Sequence, residues 1–168
     1  TVVLIFTFAV RIVRVSGESM RETLQDQDML VVLNNWLCGG YEQGDIVILQ
    51  RDDFYGGEPI VKRVIATEGQ TVDIDFDAGV VYVDGTALEE PYTREPTWTQ
   101  EGTEFPLTVP EGCVFVMGDN RNDSDDSRDS ALGPVDTRCV LGRALLLAVP
   151  GPTADTEQRD WSRVGILN

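Results

Sequence analysis

The sequence contains no histidine. That absence removes Ser-His-Asp and Cys-His catalysis together. Positive charge is also scarce: 13 basic residues stand against 29 acidic ones, a formal net charge of −16. A surface of that sign excludes nucleic acid as a partner, because phosphates need a basic face. Nor would charge alone hold it to anionic lipid. Lysine is rarer still. Lys62 is the single lysine, and every other basic residue is an arginine, which stays protonated. A hydrolase built from this chain must take its base from a carboxylate, a tyrosine, a metal-bound water or Lys62. The cysteines Cys38, Cys113 and Cys139 are odd in number and show no C-x-x-C spacing. They read as three independent thiols, and without histidine they cannot close a zinc site. Long apolar runs are missing as well. Residues 1–10 are apolar but end at Arg11, short of the ~20 needed to span a bilayer as a helix. Such a run fits either a core strand or the end of a membrane helix lying upstream.

What is present is a β grammar. With 42% hydrophobic residues in 168 positions, the chain has material for one core. Apolar or alternating runs bounded by turn residues predict strands over 29–33, 45–50, 59–67, 71–76, 80–83, 113–117 and 140–149. Asp84-Gly85 is a hairpin signal. No window has the period of an amphipathic helix longer than two turns, and 34–37 predicts a single turn. Residues 89–111, rich in Pro, Thr and Glu, read as an exposed excursion, and 151–168 as a loosely held polar tail. The fold class is therefore mostly β.

Three separated segments carry chemistry. Residues 15–24 run Val-Ser-Gly-Glu-Ser-Met-Arg-Glu-Thr-Leu. Alone this is ordinary turn material, in which a serine commonly satisfies backbone groups. Residues 60–65 place Lys62 and Arg63 inside an apolar run. Alternation puts the two on opposite faces, so one must point towards the core. A buried lysine loses its proton more readily and becomes a competent base, whereas on an edge strand it would snorkel to water. Residues 117–128 are dense in Asp, Asn, Ser and Arg. No register of this run gives the ligand spacing of an EF-hand loop. The bland alternative is a solvated turn with surface ion pairs.

Taken together, these segments resemble the boxes of the type I signal peptidase family. The nucleophile box, V-x-G-x-S-M-x-P-T-L, is matched by Val15, Gly17, Ser19, Met20, Thr23 and Leu24, with Glu22 in place of the proline. A G-D-I-V box is matched at 44–47, and the lysine box by Lys62, Arg63, Val64 and Ile65. The last box, G-D-N-R-x-x-S-x-D-S-R, is matched at every fixed position from Gly118 to Arg128.

The resemblance implies a fold of coiled antiparallel sheets with a small variable lobe at 70–112 inserted in a catalytic domain spanning 15–150. Residues 1–14 become the lead-in from a membrane helix. It further implies that Ser19 is the nucleophile and Lys62 the general base, with Ser124 hydrogen-bonding the lysine amine. Asp119, Asp126, Arg128 and Arg63 would hold the lysine region in shape. The Ser19 N–H would be one oxyanion donor, Gly17 could add only backbone, and Met20 would line the pocket for a small substrate side chain. Glu18 and Glu22 should face water, since negative charge at the site would oppose an oxyanion. No metal or organic cofactor is implied. The implied partners are the signal peptides of exported pre-proteins and the membrane lipid surface, with the catalytic domain extracytoplasmic. Two rivals carry different functions: a self-cleaving Ser/Lys protein of the repressor type, and a silent homologue acting as a scaffold.

Overall fold

A computed structural model describes residues 8–153 and 158–167. The strands are β1 (Val10–Arg14), β2 (Met29–Asn34), β3 (Ile46–Leu49), β4 (Ile60–Thr67), β5 (Thr71–Asp75), β6 (Val80–Val83), β7 (Thr86–Ala87), β8 (Leu107–Thr108), β9 (Cys113–Met117), β10 (Val135–Asp136), β11 (Val140–Val149) and β12 (Gly165–Ile166). One turn of helix, α1 (Asn35–Cys38), follows β2. The large antiparallel sheet has the order β1-β2-β11-β3-β4-β9-β10, with β12 added against β11. A smaller sheet, β7-β6-β5-β8, falls within residues 70–112. The mostly β reading is correct.

Alternation explains the faces. In β2 every second residue is buried, and β5 alternates buried Val72 and Ile74 with exposed acids. β4 is different: six consecutive residues from Val61 to Ala66 are buried. It lies between β3 and β9, covered on both faces, as a central strand reads. Lys62 and Arg63 do sit on opposite faces, yet both are buried, at 3% and 1% exposure. The expectation that one of them must point towards the core is met on both faces, because β4 is covered on each.

Two further readings are refined. Residues 89–111 are largely exposed, as read, but Thr97, Thr103 and Val109 are buried. The segment is pinned to the last box by bonds such as Thr103 N–H to Arg128 O (2.9 Å) and Trp98 N–H to Asn122 Oδ1 (2.9 Å). The tail is not loosely held where it is described. β12 pairs with β11, and Arg163 donates to the fully buried Asp28. At the other end, residues 10–14 form the outer strand of the large sheet, while residues 1–7 of the expected lead-in lie outside the described residues. The three cysteines are unpaired.

Candidate active site

The loop between β1 and β2, residues 15–28, folds over the sheet. Its base is closed by Val15 N–H to Asp28 O (2.8 Å) and Gln27 N–H to Val15 O (2.9 Å). Val15, Met20 and Leu24 anchor it in a cluster with Leu30, Ile46, Ile48 and Val61. Ser19, between these anchors, is held above β4. There Lys62 Nζ donates to Ser19 Oγ at 2.7 Å. The pair opens into a cleft of about 270 Å³, also lined by Gly17, Met20, Ser124, Tyr55 and Asp125.

Burial pushes the Lys62 amine down to about 8, with Asp126 and Asp125 pulling the other way. Without an adjacent carboxylate bonded to it, the desolvated ammonium is the disfavoured form. The central position of β4 excludes the snorkelling alternative.

The last box begins where β9 leaves the sheet beside β4, with Met117 opposite Arg63. It makes two buried ion pairs. Arg63 donates from Nε to Asp119 Oδ1 (2.9 Å) and from Nη2 to Oδ2 (2.8 Å). Arg128 donates likewise to Asp126, through Nε to Oδ1 and Nη2 to Oδ2, both at 2.9 Å. Asp126 Oδ2 also accepts from Gly118 N–H and from Ser124 Oγ, each at 2.9 Å. The Asn120 N–H donates to Ser19 O (3.0 Å), tying the box to the serine loop.

Ser124 therefore differs from expectation. It lines the cleft, but its hydroxyl proton goes to Asp126, and no Lys62–Ser124 hydrogen bond forms among the described residues. A carboxylate is the stronger acceptor. Gly17 also differs: its N–H donates to Asp26 Oδ1 (3.0 Å), so it is not available to an oxyanion. The Ser19 N–H makes no hydrogen bond among the described residues. Met20 is buried yet lines the cleft. Glu18 and Glu22 are both exposed, although Glu18 also lines the cleft.

Several contributors escaped the sequence reading. Thr23 donates to Asp119 Oδ2 (2.5 Å), and the Tyr92 ring lies 4.0 Å from the Arg63 guanidinium. Arg121 is fully buried, donating to Glu90, Thr97 and Gly118 O. Glu101 lies 3.7 Å from Arg128, and burial pushes its carboxyl up to about 7. Thr23 and Arg121 stand at matched box positions and could have been found there. Tyr92, Glu90 and Glu101 come from 89–111, where no motif marks them.

Gly118 gives the site its closest packing. A Cβ there would lie 2.2 Å from Ser124 Oγ and 2.5 Å from Ser19 O. Gly118→Ala must displace the serine loop. Since ångström-scale misplacement costs on the order of a hundredfold in rate, pre-protein cleavage assays should show a loss of about that size in a protein that still folds. A variant with wild-type kcat would show that Ser19 is not held by this contact.

The family model "Signal peptidase, peptidase S26" matches residues 1–149. A probable signal peptidase I-1 of Synechocystis sp. is 37% identical over 143 residues, covering 81% of this chain and 69% of the relative. Signal peptidase I of Bacillus licheniformis is 38% identical over 144 residues, covering 81% and 75%. A crystal structure of a signal peptidase I from Enterococcus faecalis aligns with a TM-score of 0.50 at 33% identity, covering 62% of this chain and 96% of that one. With the family match spanning most of the chain and the two relatives above 30% identity, the chain belongs to the signal peptidase family, peptidase S26.

Proposed function

We propose that this signal peptidase removes the signal peptides of pre-proteins with Ser19 as nucleophile and Lys62 as general base. The observation that carries the assignment is the 2.7 Å contact between Lys62 Nζ and Ser19 Oγ, made by a lysine only 3% exposed. In its neutral form Lys62 accepts the Ser19 proton. Ser19 Oγ then bonds to the scissile carbonyl carbon, and the C–N bond breaks as the lysine returns the proton to the leaving amine. Water, deprotonated by the same amine, cleaves the acyl-enzyme. The unengaged Ser19 N–H is suited to the carbonyl oxygen as its charge develops.

Asp126 and Arg128 set the shape of the wall opposite Lys62, while Asp119 and Arg63 fix the back of the strand. Met20, apolar and held in the core cluster, suits a small substrate side chain.

The same reading places the site beside a membrane, with the catalytic domain extracytoplasmic and anchored. Phe8, Ile12, Trp36, Leu37, Trp161, Val164 and Ile166 are exposed apolar side chains. Trp36 Nε1 donates to Phe8 O (3.3 Å), bringing two of them together at the β1 edge. Large aromatic and apolar groups of this kind favour the headgroup interface. No helix among the described residues is long and apolar enough to cross a membrane.

The test is cleavage of a pre-protein in detergent, with the cut located by mass spectrometry and its rate followed against pH. Because only the neutral amine works as a base, kcat/KM should rise through an apparent pKa near 8. At pH 7 about a tenth of Lys62 would then be neutral. A rise displaced to the ordinary lysine value would remove the desolvated base from the mechanism.

A further inference from the structure

The family match ends at residue 149, yet the segment beyond it reaches the serine loop. After β11 the chain passes Gly151, whose N–H donates to Asp28 Oδ1 at 2.6 Å. A Cβ at Gly151 would lie 2.1 Å from Asp26 O, so the approach to the loop is as close as backbone allows. The chain then returns along β11 through β12, with Leu147 opposite Gly165. This return places Arg163 beside the loop's base. Arg163 Nη1 donates to Asp28 Oδ1 (3.0 Å), and Nη2 to Asp28 Oδ2 (2.7 Å) and Thr23 O (3.3 Å).

Asp28 is completely buried and closes the loop that carries Ser19. Its Oδ2 also accepts the Gln25 N–H (2.8 Å). The carboxylate thus gathers Gln25, Gly151 and Arg163, while Arg163 reaches Thr23 within the nucleophile box. A bidentate guanidinium–carboxylate pair fixes orientation as well as distance, and a buried pair is screened little by salt.

We propose that Arg163 is a positioning residue: its bidentate pair with Asp28 clamps the loop and holds Ser19 at its distance from Lys62. This rests on Ser19 being the nucleophile. The clamp acts on the placement of the nucleophile rather than on substrate contacts, so its loss should appear in kcat and not in KM.

The experiment compares the full chain with Arg163→Ala and Arg163→Lys. It measures kcat and KM for pre-protein cleavage, per folded molecule, and hydrogen exchange of the loop amides. Arg163→Ala should lower kcat about tenfold or more, in line with the cost of sub-ångström to ångström misplacement, with KM within twofold. Amides of residues 16–27 should exchange faster while those of β3, β4 and β9 keep their protection. Lysine cannot reproduce the planar fork, so Arg163→Lys should fall between. If Arg163→Ala does not fold, Arg163→Lys decides: reduced kcat at unchanged KM supports the clamp, and wild-type kcat overturns it. A folded Arg163→Ala with wild-type kcat overturns it too, as does protection lost evenly across the sheet. Failure of the underlying reading looks different: Ser19→Ala would retain activity, whatever the loop exchange shows.

Discussion

Lys62→Met should abolish pre-protein cleavage and at the same time make the protein more stable at neutral pH. The activity loss follows from the chemistry. The chain has no histidine, and among the described residues only the Lys62 amine, at 2.7 Å, hydrogen-bonds Ser19 Oγ. Removing a base of this kind costs on the order of 10⁴-fold in kcat, as does Ser19→Ala. The stability gain follows from burial, which pushes Lys62 from 10.5 to about 8. Below pH 8 the lysine is charged in both folded and unfolded chains, so the folded state bears the whole desolvation cost. Between about 8 and 10.5 the folded form is neutral while the unfolded form still binds a proton, and stability rises with pH. A shift of this size corresponds to about 3 kcal/mol. Methionine fills similar volume without that cost. Denaturant unfolding should therefore find Lys62→Met ahead of wild type at pH 7, with the gap closing from pH 8 to 10.5. A variant that is inactive and also less stable at pH 7 would mean the lysine is structurally supported rather than strained.

The runs 80–83, 113–117 and 140–149 are legible to the residue as strands, because apolar patterning bounded by turns leaves few alternatives. β7, β8, β10 and β12 are not. Each is two residues long. β7 closes the hairpin at the Asp84-Gly85 turn, whereas β8, β10 and β12 exist through pairing with a remote partner, which a local window does not contain. The same limit explains residues 89–111. Their Thr and Glu content reads as solvated, yet Glu90 and Glu101 face the buried Arg121 and Arg128 from the last box. Composition registers the charges but not their partners. Of the site itself, the matched boxes pointed to Ser19, Lys62 and the four charged residues Arg63, Asp119, Asp126 and Arg128, but not to how those four pair. What they could not show is which hydrogen bonds the shared groups choose. Ser124 turns to Asp126, two residues along the box, and Gly17 to Asp26 within the same loop, each preferring a carboxylate whose orientation the box pattern does not specify.

The second large effect is expected at Asp119. Its carboxylate and the Arg63 guanidinium are 0% and 2% exposed, joined by two parallel hydrogen bonds. Asp119→Ala removes the countercharge but leaves Arg63 buried against Gly44 O (2.9 Å) and the Tyr92 ring. Breaking a buried pair from one side costs about 3–5 kcal/mol, a large share of the ~5–15 kcal/mol that holds a domain together. Thermal unfolding should register a fall of about 10 °C. Replacing both partners by apolar residues, Arg63→Met with Asp119→Leu, removes both buried charges together and should recover most of that loss. Activity should not recover with it. Arg63 adjoins Lys62 on β4, and Asp119 adjoins Asn120, whose N–H holds Ser19 O. The pair thus fixes the strand bearing the proposed base to the box that grips the proposed nucleophile. A double variant that regained both stability and kcat would make the ion pair dispensable to the geometry. One that regained stability alone would show that its worth lies in where it holds Ser19 and Lys62, not in how tightly it holds the fold.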